Sequence, residues 1–383
     1  MRCVVVSYMN NLFLKRVYGK ELEKLWREAF IEVQEEIHSQ QDICDFLMRE
    51  KDRNVIRNDQ LQFKFYLIKD YSQNQSVFIF RINHGLADGI SQFFLMNLLQ
   101  DKYDINNQPF IAQKTLKYRI FSFFAMLLAP FSPLRGKMQI GKQSKLFDYD
   151  ENENGLAMGK YYDLSQVKQA SKNLNCTIND FLLTAVSQTF DRYGEHFELN
   201  DLNNMFATLI INFRKPNKSK DDIVFGNFVS GMPVTLKSPF TFKHITDQDN
   251  TSLRQSIQFH KQQTEEVKKS YFIEMNAQFY TILLYIMPVI LFAKPKNEAD
   301  SYETTRVLSN INGPPKPYQI GKTETERMHF LGLGQNQMFN IHILSHNNKL
   351  SFSVLTSKMN IDSKIFARLL EETIDDFISQ SLK

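Results

Sequence analysis

Apolar positions recur along the chain with two different periods, and the change from one to the other marks the elements. Over residues 14–50, Leu14, Val17, Leu22, Leu25, Trp26, Phe30, Val33 and Ile37 return at steps of three to five, which predicts helix. Residues 61–68 (LQFKFYLI) alternate and predict a strand. Residues 77–83 (VFIFRIN) predict a second strand, rich in β-branched and aromatic side chains. Residues 90–100 (ISQFFLMNLLQ) are apolar on most faces, so the helix expected there is a buried one.

Between about 130 and 160 the pattern lapses. Pro130, Pro133, GKMQIGKQSK and DYDENENG are polar and punctuated, which reads as a linker. A second block opens at Tyr161. Leu164–Leu174 predicts a short amphipathic helix, and Asn179–Tyr193 a longer one with Thr177 as its N-cap. Strands are expected at Met205–Asn212 and Val229–Leu236, with a charged loop at 214–222 between them. Residues 251–292 read as largely helical. Strands follow near Thr305–Ile311, Met338–Ser345 and Leu350–Thr356, the last two joined by an Asn347-Asn348 turn, and an amphipathic helix closes the chain at 362–380. Helices and strands mix in both halves without a fixed-period repeat, so the class is α/β or α+β in two lobes. The expected division is 1–135, a linker at 136–160, and 161–383.

Composition narrows the function. At 383 residues the chain is long for one core, and 43% apolar residues with 33 phenylalanines are ample to bury two. The 46 basic and 42 acidic residues balance too evenly to argue for nucleic acid, and no basic stripe is interleaved with stacking aromatics. Cys3, Cys44 and Cys176 are far apart and odd in number, without metal-ligand spacing, which fits a reducing compartment. The N-terminal apolar run is too short for a signal peptide, so the chain is not expected to be secreted. Two further apolar runs, 120–131 (IFSFFAMLLAPF) and 279–293 (FYTILLYIMPVILFA), fall short of the roughly 20 residues needed to span a bilayer. A buried or groove-lining helix fits each run, and so does a contact lying in a lipid surface.

The chemistry centres on Val77–Gln100, where a strand runs into a tight loop, NHGLADG, and a buried helix leaves it. A strand end holds a base rigidly, and Gly85 and Gly89 let a ligand approach the backbone closely. A neutral imidazole at His84 can take a proton from an alcohol as it attacks a thioester. Asp88 then fixes local structure, through a backbone cap or an Arg pair. The same residues taken alone are also an N-cap, a turn glycine and a core histidine.

NHGLADG is similar to the HHxxxDG motif of the wax ester synthase/diacylglycerol acyltransferase family, with Asn83 standing where the motif has its first histidine. Further segments resemble that family in order. These are Thr177–Leu183 (TINDFLL), Ile211–Arg214 (INFR), Gly226-Asn227 with Met232-Pro233, Ser309–Pro314 (SNINGP) and the strand pair Ile341–Ser345 and Leu350–Val354, so the likeness covers about residues 20 to 365. The resemblance implies the two-lobed fold of chloramphenicol acetyltransferase and the condensation domains, with the motif histidine in a tunnel. It implies O-acyl transfer from acyl-CoA to a fatty alcohol or diacylglycerol, with His84 as general base, Asp88 and Gly89 as the structural Asp-Gly, and no metal or prosthetic group. Association with the cytosolic face of a membrane (endoplasmic reticulum or plasma membrane) or a lipid-droplet surface follows from such substrates. The family's first strand and helix, which precede the region matching Leu14–Trp26, are expected to be lacking. Another acceptor on the same fold, or an acyl-CoA- or lipid-binding homologue without turnover, is the alternative.

Other residues carry weaker signals. Asn227 and Asn310 can donate to a thioester oxyanion or to CoA, or can cap turns beside Gly226 and Gly313. Arg214 can pair Asp88 or Asp180, or face solvent. Asn179-Asp180 after Thr177 is helix-start chemistry, near the tunnel if the resemblance holds. His342 and His346 share a strand face as paired metal ligands do, but lack a nearby carboxylate or cysteine, so a surface hairpin pair is expected. Leu331–Gly334 (LGLG) lacks the rest of a nucleotide loop, and no G-x-S-x-G elbow is present.

Overall fold

The structure, a computed structural model, describes residues 3–8, 11–53, 56–111, 120, 124, 146, 149–199, 202, 205–236, 251–269, 305–333 and 338–382. The chain divides into two compact units, one of Met1–Gln92 with Val224–Asn227 and the other of Phe93–Ile223 with Phe228–Lys383.

In the first unit β1 (Cys3–Tyr8) and β2 (Asn11–Arg16) form an antiparallel hairpin, followed by α1 (Gly19–Ala29), β3 (Phe30–Glu32) and α2 (Gln40–Arg53). The continuous helical pattern expected over 14–50 is therefore broken twice. Leu14 pairs with Val5 in the hairpin, and Phe30–Glu32 pairs in parallel with β4 (Phe63–Ser72). Cross-strand pairing overrides a helical spacing of apolar residues where the side chains find partners on a sheet. Here the partners are aromatic. Phe30 and Phe80 both lie in register with Phe65, β5 being Gln75–Ile82, and their rings stack on it at 4.7 and 4.8 Å. Trp26 adds a fourth ring, 5.3 Å from Phe30. Part of the high phenylalanine count is thus a cross-strand ladder.

In the second unit seven strands form one mixed sheet. Its order is β6 (Tyr149–Met158), β14 (Lys349–Met359), β13 (Met338–His346), β10 (Thr305–Asn312), β8 (Phe206–Asn212) and β9 (Val229–Thr235), with β7 (Tyr162–Asp163) also on β14. β10 runs parallel to both β13 and β8, and the other pairs are antiparallel. Two short strands, β11 (Gln319–Ile320) and β12 (Thr323–Glu324), make a separate ribbon. The region 136–160, polar enough to read as a linker, contains β6. An edge strand needs one paired side only, so a charged sequence can supply it.

Helices α4 (Leu164–Asn173), α5 (Ile178–His196), α6 (Thr251–Lys269) and α7 (Ser363–Ser381) belong to this unit. α5 is buried along most of its length. Phe181 meets Phe377 of α7 edge-on, and Phe190 packs on Phe339 and Phe366. The β13–β14 hairpin turns at Asn347 and Asn348, both at positive φ (48° and 53°), the backbone that a two-residue turn of matching twist requires.

Among the described residues no helix is long and apolar enough to cross a membrane. The run 279–293 lies outside them, as does 120–131 apart from Ile120 and Phe124, and the helix expected over 251–292 is described only to Lys269.

Candidate active site

The motif occupies the connection from β5 to α3 (Gly89–Leu99), as the pattern predicts. Where β5 ends, the Asn83 N–H donates to the Gln62 carbonyl at 2.9 Å, and the Asn83 carbonyl accepts from the Leu86 N–H at 2.9 Å to close a turn. The Asn83 side chain shapes the same turn from inside: Oδ1 accepts from the Gly85 N–H at 3.0 Å, an Asx turn. A Cβ at Gly85 would stand 3.3 Å from that oxygen, so the turn closes tightest on a glycine. His84 sits at the tip, exposed.

On the far side of the turn, Asp88 is 2% exposed and its Oδ1 accepts from the Ser91 N–H at 2.9 Å. That is an N-cap, one of the two structural roles the sequence allows for Asp88. Satisfying an orphan donor of the first turn stabilises a helix start by about 1 kcal/mol.

A remote stretch of chain, Val224–Asn227, packs into this unit and straps the turn. The Gly226 carbonyl accepts from the Asp88 N–H (3.3 Å) and the Ser91 hydroxyl (3.0 Å), while the Gly226 N–H donates back to Ser91 Oγ at 3.2 Å. Gly226 has φ 145°, a region that L side chains rarely enter, which accounts for glycine at this position. Next to it, Asn227 Nδ2 donates to the His84 carbonyl at 2.5 Å. The amide nitrogen carries a second hydrogen, so Asn227 holds the histidine's backbone and retains a donor. Asn227, 143 residues from His84 in sequence, is thereby brought to the turn that carries His84, Asp88 and Gly89.

The remaining candidates belong to the second unit. Asn310 Nδ2 donates to Asn179 Oδ1 at 2.5 Å, which joins those two candidates into a pair. Asp180 completes the capping box expected of Thr177-x-x-Asp180 and also accepts from Thr264 Oγ1 at 2.6 Å. Arg214 does not face solvent: it is 7% exposed, bonded to Asn212 Oδ1 at 3.3 Å and stacked 4.6 Å from the centre of the Phe228 ring.

His342 and His346 are not a surface pair either. Both are buried, because Phe330 packs on the His342 ring (4.9 Å between centres) and Tyr318 on the His346 ring (5.8 Å). His342 Nε2 accepts from the Gly332 N–H, and the His346 ring bonds the Pro314 carbonyl (2.9 Å) and the Thr325 hydroxyl (3.2 Å). His342 Nε2 and both ring nitrogens of His346 are thus used in packing, and among the described residues no group of three potential ligands could hold a metal ion. All three cysteines are free thiols. Burial, helped by the Asp180 carboxylate, pushes the Cys176 thiol up to about 12, which makes it a poor nucleophile.

Two residues that hold this turn, Gln62 and Ser91, carry no motif and are found only through their contacts. The one signal in the sequence is indirect: Asn in place of the motif's first histidine asks for a hydrogen-bonding partner.

Comparison with known proteins places these observations. Residues 226–377 match the WS/DGAT C-terminal domain. A search among curated proteins finds no match in sequence. Among solved structures the whole chain superposes on the wax ester synthase/diacylglycerol acyltransferase from Marinobacter aquaeolei VT8, with TM-score 0.63 and 13% identity over 86% of that chain. It is similar also to the trichothecene 15-O-acetyltransferase from Fusarium sporotrichioides, with TM-score 0.64 and 12% identity, covering 99% of this chain and 82% of that one. The condensation domain from the monacolin K polyketide synthase gives TM-score 0.55 at 12% identity, over 100% and 85% of the two chains. At such identity the structures establish the fold, which is that of the chloramphenicol acetyltransferase-like and condensation enzymes.

Proposed function

From a chain that carries the WS/DGAT-family C-terminal domain on an acyltransferase fold, we propose an O-acyltransferase that moves a long-chain acyl group from acyl-CoA to a fatty alcohol or diacylglycerol. His84 is its general base. The supporting observation is the held turn: an exposed imidazole on a backbone fixed by Asn83 before it and by Asn227 at its own carbonyl. A base gains most from being held where its proton arrives.

In this reaction His84 takes the proton of the acceptor hydroxyl while that oxygen attacks the thioester carbon. The tetrahedral oxyanion collapses, the C–S bond breaks, and the departing CoA sulfur receives the proton from the imidazolium. Ester and free CoA are the products, with atoms and protons balanced and no redox change. Asp88 acts through the helix cap and needs no contact with substrate. The second hydrogen of Asn227 Nδ2, close to the His84 backbone, is a donor for the oxyanion or the thioester carbonyl.

Among the structural relatives the Marinobacter enzyme is a wax ester synthase/diacylglycerol acyltransferase by name and the Fusarium enzyme a 15-O-acetyltransferase, which favours a hydroxyl acceptor over an amine. Substrates of this class partition into bilayers, so the enzyme works at the cytosolic face of a membrane or on a lipid-droplet surface.

The test is His84→Ala, assayed with acyl-CoA and a panel of fatty alcohol, diacylglycerol and amine acceptors, with products identified by mass. Loss of a general base costs about 10²–10⁴ in rate. The variant should keep its melting temperature and lose ester formation; turnover at the wild-type rate would sink the assignment.

A further inference from the structure

We infer that Gln62 is a positioning residue for His84 and acts through Asn83, an assignment that rests on His84 being the base. Gln62 is 1% exposed and lies one residue before β4. Every polar group of its side chain is engaged. Nε2 donates to the carbonyls of Arg57 and Gln60, both at 3.0 Å, and Oε1 accepts from Asn83 Nδ2 at 2.9 Å. The Gln62 carbonyl takes the Asn83 N–H as well, so two bonds join Gln62 to the residue before His84.

Each polar atom of Asn83 is engaged in turn. Its N–H and Nδ2 point back to Gln62, and its carbonyl and Oδ1 point forward to Leu86 and Gly85. One side-chain amide thus donates backward and accepts forward across the peptide that carries His84. An amide can do both because it carries a donor nitrogen and an acceptor oxygen on one carbon. The ring nitrogens of a histidine are set differently and cannot take over both bonds in place.

Asn83 and Gln62 are therefore a matched pair, and the departure from HHxxxDG is compensated by a buried glutamine about twenty residues upstream. Catalytic groups lose effectiveness when displaced by more than about 0.5 Å, and a misplacement of about 1 Å can cost roughly 10²-fold. The rival role for Gln62 is to tie down its own 57–62 loop, and the two roles divide between its two ends: Nε2 serves the loop and Oε1 serves Asn83.

The experiment uses the full chain with Gln62→Met, Gln62→Glu and Asn83→Asp. Gln62→Met removes both ends. Gln62→Glu keeps an acceptor for Asn83 Nδ2 but sets an oxygen against the Arg57 and Gln60 carbonyls. Asn83→Asp keeps the bond from Gly85 and breaks the one to Gln62. Positioning requires kcat to fall about 10- to 100-fold in Gln62→Met and Asn83→Asp. KM for acyl-CoA should stay within about twofold, and the double variant should be no slower than the slower single one. Gln62→Glu should lower the melting temperature and keep most of kcat.

The ring signal of His84 in ¹³C-histidine-labelled protein supplies a second readout that needs no turnover: a shift or splitting in Gln62→Met or Asn83→Asp is expected. A folded variant with unchanged kcat and an unmoved His84 signal overturns the inference, as does a kcat loss in Gln62→Glu equal to that in Gln62→Met. Should the wild type acylate no acceptor, the reading of His84 as base fails, while the ring signal still decides the part played by Gln62. If Gln62→Met does not fold, Asn83→Asp reads the same bond.

Discussion

The Ser91 hydroxyl meets both polar backbone atoms of Gly226: it donates to the carbonyl at 3.0 Å and accepts from the N–H at 3.2 Å. Ser91 is fully buried in the first turn of the helix that follows the motif, and Gly226 lies 135 residues further along the chain. One hydroxyl thus fastens the strap that places Asn227 on the His84 carbonyl. Replacing it by Ala removes both part-buried bonds to Gly226, a loss of about 1 kcal/mol. Ser91→Ala should lower the urea midpoint by the corresponding amount and slow ester formation, because Asn227 follows the strap.

A side chain on Gly226 would be strained at φ 145°. Backbone forced into such a region costs on the order of 1–3 kcal/mol. Gly226→Ala should therefore destabilise the protein by that amount or release the strap. A thermal melt detects the first, and faster exchange of the Ser91 amide detects the second.

Thr177 and Asp180 form a capping box at the start of the most deeply buried helix of the second unit. Thr177→Ala should cost about 0.5–2 kcal/mol in chemical denaturation. The His84 turn belongs to the other unit, so the ring signal of His84 should not move.

His260 has no exposed surface, and burial pushes its ring down to about 4, against a smaller opposing pull from the Asp180 carboxylate. Above the ordinary histidine pKa of about 6.5 both folded and unfolded chains carry a neutral ring there, and stability is intact. As pH falls below that value the unfolded chain takes up a proton that the folded chain refuses. Stability then drops by roughly 1.4 kcal/mol per pH unit until the folded value near 4 is reached. His260→Gln should flatten the stability profile between pH 4 and 6.5 by about one proton; an unchanged slope would refute this.

Much of the architecture was legible because it is written in local periodicity. The strands at 63–72, 75–82 and 338–359, the Thr177 cap and the Asn347-Asn348 turn each depend on neighbours close in sequence, and each is where the pattern puts it. Expectations failed where long-range partners decided the outcome. Phe30–Glu32 left its helical pattern for a strand because Phe65 offers a stacking partner, and the polar stretch ending at Met158 became an edge strand because β14 was there to pair it. His342 and His346, polar by type, are buried because the segment 314–332 lies over their rings, with Pro314, Thr325 and Gly332 bonding them.

NHGLADG followed the same division. Local pattern is enough to set a strand, a tight turn and a buried helix in succession around His84, since these follow from alternation, glycine and an N-cap residue. What holds that turn emerges only in the folded chain. Gln62 and the Gly226-Asn227 strap reach it from about twenty and 140 residues away. Hydrogen bonds between such distant groups leave no periodic trace in a single chain, because their geometry exists only once the backbone has closed.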